Sequence, residues 1–300
     1  MSGQPDFDLR GVVDMHVHYG PAAIPNDVSI THSVTAVEAA RDAADAGLRA
    51  IVLKSKDYST AALAHAVTEC VPGVQVIGGV VLDHAVGGLN PVAVLQALRM
   101  GAKVVWLPTN GSRQDCSKNG PPEYLGSASD EVKRGISVID DDGKIVPELH
   151  QIFEMLTEWD AVLATGHVSY DEHLAVAREF GSSGRLLATH CGARGGGPNL
   201  NAQQCTELAA YGTIMEFAAL TCIDHWGSDA MSMEEHAGMI RAVPIDQVVL
   251  SSDYGWDSEL PRPVAGLQSY FDMLAGAGFT EAELRMAACD TPARMLGLTG

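Results

Sequence analysis

The chain has 300 residues, 46% of them hydrophobic and 19% charged, with a mean hydropathy of +0.06, which excludes a disordered chain and fits a globular protein with a large core. Acidic residues outnumber basic ones 38 to 19, a formal charge of −19, and a field of that sign repels nucleic-acid phosphates and anionic membranes. No window approaches the roughly 18 unbroken apolar residues of a membrane span, residues 1–8 lack the basic-then-apolar pattern of a signal peptide, and the six cysteines include no Cys-x-x-Cys pair, so reduced thiols in a cytoplasmic protein are expected.

In chain order, residues 12–18 read as a strand and 33–47 (SVTAVEAARDAADAG) as an Ala-rich helix closed by Gly47. A strand at 50–55 precedes a helix at 60–70. A third strand, 74–82, leads to a helix at 91–100 that Asn90 caps, with Pro91 in the first turn. The fourth strand is 102–107, and its helix waits until 147–159. Then follow strand 161–166, helix 171–180, strand 185–189, helix 202–211, strand 213–217 (the weakest pattern), helix 233–242 and strand 247–251. Two helices, 262–276 and 281–297, end the chain.

Strands apolar on both faces, each followed by a helix, describe a parallel sheet covered by helices. Eight such units predict a (β/α)8 TIM barrel spanning residues 1–300 as one domain. A doubly wound sheet lacks support because no G-x-G-x-x-G follows the first strand. Residues 108–146 are long for a βα loop and are expected to be functional. Within them, 136–146 reads as a hairpin turning at Asp142-Gly143, an insert lying over the mouth as a partial lid.

Asp14-Met15-His16-Val17-His18 ends the first strand. Residues two apart on a strand share a face, so His16 and His18 point together toward the mouth, where two imidazoles can share a divalent ion. His167 follows the fifth strand, His190 ends the sixth and Asp253 ends the eighth. Ligand-type side chains at the C-terminal ends of several strands converge at the mouth of such a barrel. Asp14 is expected behind the ligands.

This set resembles the amidohydrolase superfamily. The segments Gly87-Gly88-Leu89-Asn90-Pro91, Gly101-Ala102-Lys103-Val104-Val105-Trp106-Leu107-Pro108-Thr109, Thr165-Gly166-His167 and Ser251-Ser252-Asp253 look like a poorly characterised cytosolic branch of it. The resemblance implies that His16, His18, His167, His190 and Asp253 hold one or two divalent ions, zinc first and manganese or iron next. Two-metal members commonly carry a carboxylated lysine on strand four. Here that strand ends in Trp106-Leu107-Pro108-Thr109, and a lysine appears instead at the end of strand two, Lys54.

Burial would leave the Lys54 amine neutral and able to add carbon dioxide, giving a carbamate that bridges two metals. Alternatively, Lys54 stays an ammonium that binds an anionic substrate. Lys56, nearer the loop, is expected to be solvated. Asp253 either holds metal or moves the proton from water to the leaving group. Arg194, in the glycine-rich loop after His190, either clamps a substrate carboxylate or makes a surface ion pair. Trp106, His225, Tyr254 and Trp256 are candidate pocket walls, although aromatic side chains at strand ends also serve as packing caps. Cys191, next to His190, faces away from it and is expected to be a buried thiol.

The function expected is hydrolysis of a small, anionic or polarised amide, lactam, imide or lactone. The alternative is a metal-dependent, non-oxidative decarboxylase of a small aromatic or unsaturated acid, with His190 as acid or base. The partners expected are a small-molecule substrate and further copies of the chain, without nucleic acid or membrane.

Overall fold

The structure, a computed structural model, describes residues 7–23, 31–224 and 230–298. Strands β1 (Val13–Val17), β2 (Ala50–Leu53), β3 (Gln75–Val81), β4 (Ala102–Trp106), β5 (Val162–Ala164), β6 (Leu186–Ala188), β7 (Ile214–Ala218) and β8 (Val248–Ser251) pair in that order, each parallel to the next. The barrel closes between β8 and β1. His18 N donates to Tyr254 O at 2.8 Å and Asp253 N to His16 O at 2.9 Å. The Asp14 carboxylate reinforces this seam by accepting from Ser252 N at 3.0 Å. All eight expected strands are present, and the fold is a (β/α)8 barrel.

The helices are α1 (Ala36–Asp45), α2 (Ala61–Cys70), α3 (Pro91–Arg99), α4 (Arg113–Asn119), α5 (Asp130–Lys133), α6 (Pro147–Glu158), α7 (Tyr170–Phe180), α8 (Ala202–Ala209), α9 (Met233–Arg241), α10 (Pro263–Gly276), α11 (Glu281–Arg285) and α12 (Thr291–Leu296). Their starts follow from sequence chemistry. Asn90 Oδ1 accepts from Val92 N at 3.0 Å, with Pro91 in the first turn. Thr35 with Glu38, and Ser169 with Glu172, form reciprocal capping boxes. Each such cap contributes about 1 kcal/mol. Gly47 follows the α1 cap at φ +76°, the left-handed conformation that costs glycine least.

Two readings need correction. The final helix expected at 281–297 is broken: Met286–Asp290 forms a wider π turn between α11 and α12. Pro292 lacks the N–H that a continuous α-helix requires there. The ribbon expected at 136–146 shrinks to one antiparallel bridge, Ile139 with Ile145, around Asp140–Gly143. The insert is instead mostly helical and irregular, carrying α4 and α5.

Hydrophobic side chains separate into two bodies. The larger lies between strands and helices; the smaller fills the barrel with Val13, Met15, Val52, Val81, Val104 and Leu187 among others. Ala293, Met295 and Leu296 of α12 join the inner body and seal the N-terminal end of the barrel. In β1, Val13 and Met15 belong to the inner core but Val17 to the outer one, and the register against β2 shifts between Asp14 and Val17. This irregularity changes the phase of the strand as it reaches the mouth. Among the described residues, no helix is long and apolar enough to cross a membrane.

Candidate metal centre

At the mouth, the side chains from β1, β2 and the end of β8 converge. His16 Nε2 lies 3.2 Å from His18 Nε2, 3.0 Å from Asp253 Oδ1 and 2.9 Å from Lys54 Nζ; His18 Nε2 lies 3.1 Å from the same Asp253 oxygen. All four residues are buried. A second pair lies beside them: His167 Nε2 and His190 Nε2 are 3.1 Å apart, and the His190 ring stacks on His16 with centroids 5.7 Å apart. His190 and Asp253 adopt φ of +27° and +56°, a conformation that is uncommon outside glycine and recurs at functional sites.

The far side of each ring fixes where its lone pair points. Glu216, in β7, accepts from His16 Nδ1 at 3.0 Å through Oε1 and from the His190 backbone N–H at 2.9 Å through Oε2. Because a carboxylate only accepts, His16 Nδ1 carries a proton, and its Nε2 faces the Asp253 carboxylate and the Lys54 amine. Likewise, Asp115 of α4 accepts from His167 Nδ1 at 2.6 Å, which leaves the His167 Nε2 lone pair facing His190. Where such a ring nitrogen carries no proton, its lone pair is free to ligate a cation. His16, His18 and Asp253 place one ligand atom each within 4.8 Å of one another. Imidazoles held by carboxylates on their far nitrogens are the usual company of a divalent metal. The donor set therefore fits one.

Burial disfavours the charged form of His16, but Asp253 and Glu216 outweigh it and raise its pKa above the ordinary value. Burial holds His18, His167 and His190 well below theirs. Burial would raise Glu216, but His16 and the Ser251 hydroxyl bring it down to about 2. For Asp253 too, burial acts upward, and His16 and His18 outweigh it to hold the carboxyl well below the usual range. Burial pushes Asp14 up to about 6 and Lys54 down to about 8.

The sequence-derived candidates divide accordingly. His16, His18, Lys54, His167, His190 and Asp253 are brought together. Trp106 lies below them inside the barrel, its ring 5.6 Å from Lys54 Nζ. Tyr254 turns outward, its ring against Gly266 of α10, and so does not line the mouth. Arg194 is committed to Glu235, at 2.7 and 2.8 Å from its carboxylate oxygens. Cys191 is buried, as expected. His225 lies outside the described residues. Lys56 is half-buried rather than solvated, its Nζ 4.4 Å from the centre of the Trp256 ring. Trp256 also packs on His18, centroids 3.6 Å apart. Gly255, at φ +115°, permits this return of the chain, since a Cβ there would overlap the His18 carbonyl.

Three residues escaped the sequence reading. Glu216 is the lone charge in the buried strand IMEFA, a signal that could have found it. Asp115 lies in the insert and meets His167 only through folding. Asp83, after β3, accepts from Thr109 N at 2.8 Å and Gly111 N at 3.0 Å and pins the start of the insert.

A family model described as "Family of unknown function (DUF6282)" matches residues 11–216. No curated protein matches the sequence. Similar solved structures include the probable dipeptidase PvdM from Pseudomonas aeruginosa, at 11% identity and TM-score 0.62, covering 95% of this chain and 94% of that one. The organophosphorus hydrolase from Deinococcus radiodurans shows 15% identity and TM-score 0.59, covering 97% and 93%. A putative 2-pyrone-4,6-dicarboxylic acid hydrolase from Pseudomonas putida shows 13% identity and TM-score 0.59, covering 96% and 97%. These likenesses establish a shared (β/α)8 fold.

Proposed function

The chain belongs to DUF6282, a family of unknown function, and we propose that it is a metal-dependent hydrolase of a small amide, lactam, imide or lactone. The observation that carries this reading is the convergence of two groups of ligand-type side chains, His16–His18–Asp253 and His167–His190, each with one imidazole held by a buried carboxylate. The structural neighbours bear hydrolase names, among them a dipeptidase and an organophosphorus hydrolase.

His16, His18 and Asp253 would hold one ion, and His167 with His190 a second. Zinc suits these ligands first, then manganese or iron. When bound, such an ion polarises a carbonyl oxygen and acidifies water near neutral pH. The protein's own groups do the rest. Glu216 keeps the His16 proton on Nδ1 and ties His190 to β7. Asp253 accepts a proton from the attacking water and passes it to the leaving nitrogen or oxygen. Lys54, its amine partly neutral because burial lowers it to about 8 and its Nζ 2.9 Å from His16 Nε2, would add carbon dioxide with loss of its proton to solvent, and the carbamate would supply a further anionic oxygen ligand. The approach of His190 to His167 supports a ligand role and disfavours the decarboxylase reading, in which His190 would act as an acid or base.

Metal analysis of the purified protein, together with hydrolysis assays on dipeptides, lactams, imides and lactones, tests this reading. Stoichiometric metal and chelator-sensitive hydrolysis are expected. Protein without metal, whose stability and activities are untouched by His16→Ala, would sink it. Carbon-13 NMR after exposure to labelled bicarbonate reads the Lys54 carbamate directly.

A further inference from the structure

The two groups of ligand-type side chains at the mouth are held by different parts of the chain. Around His16 the supports are barrel strands: Glu216 of β7 meets His16 Nδ1, and the Ser251 hydroxyl of β8 donates to the same Glu216 oxygen at 2.7 Å. Around His167 the support is the insert. Asp115 Oδ2 accepts from His167 Nδ1 at 2.6 Å, and the Ser112 hydroxyl donates to the His167 carbonyl at 2.9 Å. Ser112 also caps α4, its side-chain oxygen accepting from Asp115 N at 3.0 Å. One turn of the insert therefore grips His167 at both its ring and its backbone.

The grip extends to the loop after His190. Asn119 Nδ2 donates to Asp115 Oδ1 at 2.7 Å and to Gly195 O at 3.4 Å, and Lys118 Nζ donates to Gly197 O at 3.4 Å. Gly196 lies against the Asp115–His167 contact, where a Cβ would come within 3.2 Å of both side chains. A Cβ on Gly197 would stand 3.0 Å from His190 Nδ1. That nitrogen has no hydrogen-bond partner among the described residues, so His190 owes its place to this packing and to the bond from its backbone N–H to Glu216. Asp115 is buried, and a carboxylate withdrawn from water persists only where partners offset the loss. Its partners are the His167 ring and Asn119.

We propose that Asp115 is the positioning residue of the second ligand pair, and that the insert assembles this half of the centre. With α4 docked, the His167 proton is held on Nδ1 and Nε2 is presented toward His190. The first group, supported by strands, does not depend on the insert. This inference rests on the hydrolase reading for what the centre does, but the tautomer and the metal binding are separable from hydrolysis.

The test uses full-length protein labelled with nitrogen-15 in its histidines, with zinc as the probe. Two-bond proton–nitrogen NMR, in which the His167 and His16 signals are identified by their loss in His167→Gln and His16→Gln, should show the metal-free His167 ring protonated on Nδ1. Asp115→Ala should release that preference. Zinc titration against a competing chelator, followed at the same signals, should show binding at His167 weakened about 10–100-fold in Asp115→Ala, with the response of His16 unchanged. Asp115→Asn, which keeps an acceptor oxygen without the charge, should fall between the two. Circular dichroism checks folding, and Asp115→Asn decides by the same measure if Asp115→Ala does not fold. A wild-type His167 protonated on Nε2, a zinc response at His167 indifferent to Asp115, or an equal loss at His16 overturns the proposal. Zinc binding with this Asp115 dependence in a protein that hydrolyses nothing sinks only the hydrolase reading; zinc-dependent hydrolysis with His167 indifferent to Asp115 sinks only this one.

Discussion

The two ends of the barrel interior are made by the same eight strands and have opposite chemistry. Toward the N-terminal end, Val13, Val52, Val104, Val162 and Val249 belong with Met295 and Leu296 of α12 to one apolar cluster, the floor of the barrel. At the C-terminal end, imidazoles, carboxylates and an amine are packed within hydrogen-bond distance. The floor is stabilised by burial of apolar surface. The mouth accumulates groups that burial penalises, which persist because each is oriented by another. Stability and chemistry should therefore respond to different substitutions.

The sharpest separation is expected from Asp253→Asn. It removes a charge from the first cluster and the proposed proton carrier, and should lower kcat by about 10²–10⁴-fold while thermal unfolding of the chelated protein moves little. Met295→Ala tests the floor in turn. Cavity formation should cost about 2–5 kcal/mol in denaturant unfolding, with metal content and KM unchanged; a loss of metal would erase the distinction between the ends.

Acid should reach stability through the wall and not through the floor. His236 of α9 bonds the Tyr270 hydroxyl at 2.6 Å, and burial lowers it to about 4. Its folded pKa lies below the unfolded one, so the unfolded chain takes up the extra proton as pH falls. The contribution is whole above about pH 6.5 and is lost toward pH 4, on the order of 3 kcal/mol. Unfolding of His236→Gln across this window should show a shallower pH slope than the parent; equal slopes would remove the wall from the account. The smallest effect is expected from Glu216→Gln, which keeps shape but weakens the hold on His16 Nδ1. Metal affinity should fall about 10–100-fold, read by competition with a chelator.

Much of this division was legible in the sequence. Apolar runs marked the strands, and polar residues at their C-terminal ends marked the mouth. His16 and His18 could be paired by the two-residue period of a strand. The same alternation applied to Asp253 would have sent Tyr254 outward, where it lies against Gly266; grouping both at the mouth overlooked a rule already in use for Cys191. Asp115 could not be found this way, since it meets His167 across 52 residues through an insert without a periodic pattern. Lys56 read as solvated because its shelter, Trp256, arrives from the opposite end of the chain. The break before α12 needed Pro292 to be weighed against a helical pattern that otherwise continues.

The seam between β1 and β8 has a consequence for how the protein is made. Ser252 Oγ bonds the His16 carbonyl across 236 residues, and Asp253 reaches His16 only when this closure is complete. A chain still emerging from a ribosome can build six or seven strands and own both histidines of β1, yet it has no complete ligand set. Contacts this distant in sequence form late and slowly. Tight metal capture would then act as a check on completeness, rewarding only the finished circle and leaving truncated copies empty.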